Sequence, residues 1–193
     1  MNELYSKNQN MIRNMVLAAM FLAIGIILPT ITGGIPQIGN LLLPMHIPVL
    51  LCGLICGWQY GLIVGFITPL LRGAIFGMPM FYPTGLAMAF ELATYGAVIG
   101  FLYARFRKQN VFAVYVSLIT AMIVGRVVWG VVRVIMMGVG GSAFTWQMFI
   151  AGAFLNAIPG IILQLVLIPA LMTALNRAGM LRFTNKNAAN KNQ

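Results

Sequence analysis

Acidic side chains are almost missing from this chain. Among 193 residues only Glu3 and Glu91 carry a carboxylate. Histidine is as scarce, with His46 alone, and the two cysteines, Cys52 and Cys56, stand i and i+4 in an apolar segment. So few general acids, bases and metal ligands exclude most hydrolytic and metal-assisted chemistry, and no enzyme, cofactor or metal is expected. The cysteines read as small buried packing residues. Charge of either sign is absent from 14 to 71 and again from 134 to 176. A soluble domain would need charged surface within stretches of that length.

What fills the chain is apolar. Hydrophobic residues make up 61% and charged residues 7%, which defines an integral membrane protein. The net charge of +10 does not imply nucleic acid, because nine of the twelve lysines and arginines lie in short segments flanking apolar runs. That is the distribution of topology signals. Lys7 and Arg13 before an apolar run resemble a signal peptide. The run continues to Ile31 without a small-x-small cleavage site, so it reads as a retained span.

We expect an all-α membrane domain of six helices over 15–176. A basic amino-terminal segment, 1–14, precedes it, and a basic, disordered tail, 177–193, follows. Span 1 covers Met15–Ile31, with Ala19 and Ala23 at a spacing that lets another helix approach closely. Thr32–Pro44 is an uncharged Gly/Pro loop that reads equally as a lid or as an ordinary interfacial loop. Met45–Gly57 and Gly61–Gly77 form two short spans, either of which can cross incompletely. Between them Trp58-Gln59-Tyr60 marks a turn, and Gly53, Gly57, Gly61 and Gly65 imply tight packing around it. Met78–Pro83 is a second uncharged loop. Span 4 runs Thr84–Tyr103, a basic loop holds Arg105, Arg107 and Lys108, span 5 runs Val111–Gly138, and span 6 runs Trp146–Leu175. The amino end, the loop between spans 4 and 5 and the tail are basic; the other three long loops have no Lys or Arg. Six spans with both ends in the cytoplasm satisfy this pattern.

Inside the apolar runs a few polar groups stand out. Arg126 and Arg133 lie about 10 Å apart on one face of span 5, with Trp129 between them. Charges in a bilayer normally face the bundle interior. In the outer half of the membrane Arg72 in span 3 lies at about the depth of Arg133, Glu91 with Tyr95 in span 4 about two turns below the outer end, and Asn156 in span 6 near the mid-membrane level of Arg126, whereas Gln164 is deeper. His46 follows Pro44, and Asn40 lies in the first loop. Three arginines against one glutamate leave two positive charges, which a bound anion would balance; a guanidinium fork suits a carboxylate. In the plainer alternative Glu91 is a structural counter-ion, His46 caps span 2 and Arg133 snorkels to the interface. Trp58 and Trp146 read as interfacial anchors.

Six short spans, Ala19-x-x-x-Ala23, the Gly/Pro loop and basic ends resemble the substrate-binding S components of energy-coupling-factor vitamin transporters. Leu-Pro-Met-His-Ile-Pro-Val-Leu-Leu-Cys-Gly from Leu43, Thr-Pro-Leu-Leu-Arg from Thr68 and Met-Ala-Phe-Glu-Leu-Ala-Thr-Tyr-Gly from Met88 are similar to the pantothenate type. The resemblance implies capture of a vitamin from outside, toppling in the cell membrane, and docking through Ala19 and Ala23 on a coupling protein driven by two ABC-type ATPases. The chain itself has no Gly-x-x-x-x-Gly-Lys phosphate loop, so ATP hydrolysis falls to those partners. The candidate substrate-binding set is Asn40, His46, Arg72, Glu91, Tyr95, Arg126, Trp129, Arg133 and Asn156. Pantothenate has one carboxylate with hydroxyls and an amide to match it. A folate-like dianion or a pyridoxine- or pyrimidine-type compound is the alternative ligand. An autonomous anion channel or carrier and a membrane enzyme acting on a phosphorylated lipid are the rival functions.

Overall fold

A backbone inside hydrocarbon must satisfy its own hydrogen bonds, and uninterrupted apolar runs do so as helices. The computed structural model describes residues 2–32, 43–139 and 157–179, and among these it is all-helical. We number the helices α1 (Asn2–Thr32), α2 (His46–Cys56), α3 (Trp58–Phe76), α4 (Leu86–Arg105), α5 (Val111–Val139) and α6 (Ile158–Arg177). One π turn, Phe81–Gly85, leads into α4. Five of the six helices are long and apolar enough to cross a membrane. The exception is α2, whose 11 residues span about 16 Å, half of a ~30 Å hydrocarbon core. The short second span is therefore the incomplete one, and α3 is of full length.

Several boundaries differ from the sequence reading. Helix α1 starts at Asn2, ahead of its apolar run. Trp58-Gln59-Tyr60 is not a turn but the first turn of α3; the break is Gly57 alone, at φ 99°. Only glycine adopts that φ without a Cβ clash. Arg105 belongs to the last turn of α4, not to the loop after it. The described part of α6 begins at Ile158, and residues 33–42 of the first loop (Asn40 among them), Trp146, Asn156 and the tail beyond Gly179 lie outside the described residues.

Helix α4 sits at the centre. Its most extensive contact is with α3, followed by α5 and α2; α1 packs on α2 and α3, and α6 lies against α5. Glycine makes the central contact possible. A Cβ on Gly61 would stand 2.6 Å from the Gly96 carbonyl oxygen, and one on Gly100 equally close to that of Gly53. Gly65 is pressed in the same way against the Leu92 carbonyl. These small residues at four-residue spacing let backbones meet where side chains would hold them apart. Gly57 takes no part in this seam, since nothing stands near its Cβ position.

The basic groups collect at one end of the bundle. Asn14 of α1 donates to the carbonyl of Cys56, the last residue of α2, at 3.4 Å. The end of α4 with Arg105, the start of α5 and the end of α6 with Arg177 lie at this same end. The apolar core above it draws Leu50 and Leu54 from α2, Ile99 from α4, Leu118 from α5 and Ile168 from α6.

Candidate functional site

Glu91 lies in the second turn of α4, on the face turned inward, and it is 2% exposed. Its Oε1 is 3.0 Å from Nη1 of Arg126 on α5 and 3.7 Å from Nε2 of His46, the first residue of α2. All three side chains are buried, His46 at 1% and Arg126 at 6%. Tyr95, one turn below Glu91, is equally buried. The rings of His46 and Tyr95 are tilted against each other with centroids 5.2 Å apart. Because α2 starts here, its positive amino end opens onto a carboxylate, which suits the helix dipole.

Room for this cluster comes from Gly125. A Cβ there would overlap the Tyr95 ring, so the glycine beside Arg126 is what lets the tyrosine lie against α5. The sequence reading gave Gly125 no role. Its only signal was adjacency to an intramembrane arginine.

The cluster is under-satisfied. The 3.0 Å contact brings opposite charges together without hydrogen-bond alignment. Glu91 Oε1, Arg126 Nε and Nη2, and both ring nitrogens of His46 are buried with no hydrogen-bond partner among the described residues. Leaving such groups unpaired costs about 1–3 kcal/mol each, and more for charged ones. A polar ligand between them would remove that cost.

Two turns further along α5, Arg133 is half-buried, its guanidinium 5.4 Å from the centre of the Trp129 ring. Trp129 is 8% exposed and packs with Ala87 and Met136. Among the described residues Arg133 has no ion pair. Arg72 stands apart. It is half-buried, donates from Nη1 to the Met78 carbonyl at 2.9 Å and lies 5.5 Å from the Phe76 ring centre. The Tyr82 hydroxyl donates to the Met136 carbonyl at 2.8 Å, tying the Met78–Pro83 loop to the end of α5 beside Trp129. That tie was not legible in the sequence, because its acceptor is a backbone carbonyl.

Of the residues singled out from sequence, the structure thus joins His46, Glu91, Tyr95 and Arg126. It sets Trp129 and Arg133 one and two turns away, and puts Arg72 against its own loop. Asn40 and Asn156 lie outside the described residues. Ala19 and Ala23 are exposed on the outer face of α1, whereas Ala18 and Gly25 face the bundle. Nearer the basic end, Ser117 and Gln164 are fully buried, with side-chain polar atoms lacking partners among the described residues.

His46, Glu91, Tyr95 and Arg126 thus form a small, deeply buried polar cluster among membrane helices, the candidate ligand site. Among the described residues no cluster of three metal-ligating side chains exists. The family model for the ECF transporter substrate-specific component matches residues 13–172. The chain belongs to this family. No curated protein and no solved structure matches it. As an ECF S component it is a non-catalytic, multi-pass membrane subunit that binds the transported substrate, and S components pair with an energising module.

Proposed function

We propose that this S component captures a small monoanionic vitamin, pantothenate by preference. In this reading it works in the cell membrane with both ends in the cytoplasm. It then delivers the ligand by toppling on a coupling protein served by two ABC-type ATPases. The observation that carries the ligand assignment is the charge balance around Glu91. Arg126 is already neutralised at 3.0 Å, and Arg72 is turned to the Met78 carbonyl. Arg72 keeps its charge but is held on its own loop, so Arg133 is the cation available to a ligand carboxylate beside this cluster. A dianion of the folate type would need two.

The neutral end of the ligand suits the inner cluster. Glu91 Oε1, ion-paired with Arg126 but without an aligned hydrogen bond, accepts from a hydroxyl or amide N–H, and Arg126 Nη2 and Nε, without hydrogen-bond partners among the described residues, donate to a hydroxyl or carbonyl oxygen. Arg126 and Arg133 are about 10 Å apart along α5, a span that suits a molecule with its carboxylate at one end and its hydroxyls at the other. Trp129, between the two arginines in sequence, supplies an apolar wall. Asn40 and Asn156 complete the proposed set. Exposed Ala19 and Ala23 on α1 suit the docking face.

Titration of labelled pantothenate against the purified full chain tests this reading, with folate and pyridoxine as competitors. Saturable binding that neither competitor displaces is the expected result. Displacement by folate at lower concentration than unlabelled pantothenate would overturn the monoanion assignment. Anion flux through the chain alone in liposomes would overturn the S-component mechanism in favour of an autonomous carrier.

A further inference from the structure

At the basic end of the bundle, well away from the Glu91 cluster, α5 and α6 leave a cleft of about 460 Å³ between them. Its walls are Val111 and Tyr115 from α5, and Val166, Pro169, Ala170 and Ala174 with Thr173 and Arg177 from α6. The cleft exists because α6 presents Ala170 and Ala174 where larger side chains would close it, next to an internal proline. The Thr173 hydroxyl is turned back onto the Pro169 carbonyl at 2.8 Å, which hides its polarity from the cleft. Most of the wall is therefore apolar and open to the hydrocarbon.

Three features of this cleft agree with one occupant. From Val166 to Arg177 it extends about 16 Å along α6, the depth of one leaflet of a ~30 Å hydrocarbon core. A cation, exposed Arg177, stands at its polar end, where a lipid phosphate would lie, and makes no ion pair among the described residues. Tyr115, one turn inside the start of α5, is partly exposed and places an amphipathic ring near the same end. We propose that the α5–α6 cleft binds one anionic glycerophospholipid of the leaflet on the basic side, with an acyl chain along Ala170 and Ala174 and the phosphate on Arg177. Basic pockets between membrane helices hold anionic head groups by this combination of charge and groove. The inference does not rest on the vitamin assignment.

Native mass spectrometry of the full chain, released from micelles containing equimolar dioleoyl phosphatidylglycerol and dioleoyl phosphatidylcholine, tests it. Wild type is expected to retain one phosphatidylglycerol with a preference of about fivefold, the worth of one basic residue against an anionic head group. Arg177→Gln should abolish the preference and still retain lipid of either kind, while Arg177→Lys keeps it. Ala170→Leu with Ala174→Leu fills the cleft from positions that are exposed, so the variant is expected to fold and to lose bound lipid of both kinds. Equal retention of the two lipids by wild type, or an unchanged preference in Arg177→Gln, would overturn the proposal. So would lipid retention untouched by the filled cleft, and if that variant instead fails to assemble with the energising module, the cleft takes a partner helix.

Discussion

Glu91 and Arg126 close an ion pair between α4 and α5, with 3.0 Å between Oε1 and Nη1 and both side chains buried. This contact decides how the other charges count, because it spends the one carboxylate that the apolar runs contain. Breaking a buried pair from one side leaves an uncompensated charge, which costs about 3–5 kcal/mol, whereas removing both partners costs far less. Glu91→Gln and Arg126→Gln should each lower the thermal unfolding midpoint in detergent, and the double variant should recover part of the loss. A double variant as unstable as the sum of the two singles would mean that the pair contributes nothing to the bundle.

Gly125 is where α5 yields to Tyr95. Gly125→Val should destabilise by about 1–3 kcal/mol through overpacking, since the new side chain competes with the Tyr95 ring for one volume. Tyr95→Ala in the Gly125→Val background should restore much of the stability. Unfolding curves of the single and double variants measure both effects, and no rescue would show that the clash lies elsewhere.

Arg133 is the cation left for the ligand. Arg133→Ala is expected to weaken pantothenate binding by ~30-fold or more, the loss of a charge-assisted pair worth on the order of 2–5 kcal/mol. Arg133→Lys should recover only part, because an ammonium cannot form the planar fork. Arg72→Ala, by contrast, removes a group already turned to the Met78 carbonyl and should change affinity by less than about threefold. Titration of the three variants separates these cases; a large loss in Arg72→Ala with none in Arg133→Ala would move the anion site to the end of α3.

Ala19 and Ala23 are exposed on α1. Replacing either with leucine adds bulk on the outer face and none within the bundle. Assembly with the energising module and ATP-driven uptake are expected to fall, with substrate affinity of the isolated protein unchanged. Affinity lost together with uptake would place these alanines in the fold or the site.

Two properties were legible in the amino-acid order alone, because both are local. Uncharged apolar runs bounded by basic segments demand membrane helices, since neither a charge nor an open backbone is tolerated in hydrocarbon. Glycines at four-residue spacing announced close packing, and Gly53, Gly61 and Gly65 do lie in the central seam. The same pattern overreached at Gly57, where a positive φ rather than a neighbour explains the glycine. The pairing of charges was beyond it. Arg72, Arg126 and Arg133 could each be placed within reach of Glu91 by depth, and only the rotation of α5 against α4 selects Arg126. That rotation follows from how whole helix faces pack, including the fit of Tyr95 into the gap at Gly125, and no short stretch of sequence encodes it. The start of α2 at the level of Glu91, which brings His46 to the carboxylate, is likewise a property of the assembled bundle. Local chemistry therefore determined which residues had to be inside the membrane, and tertiary packing decided which of them meet.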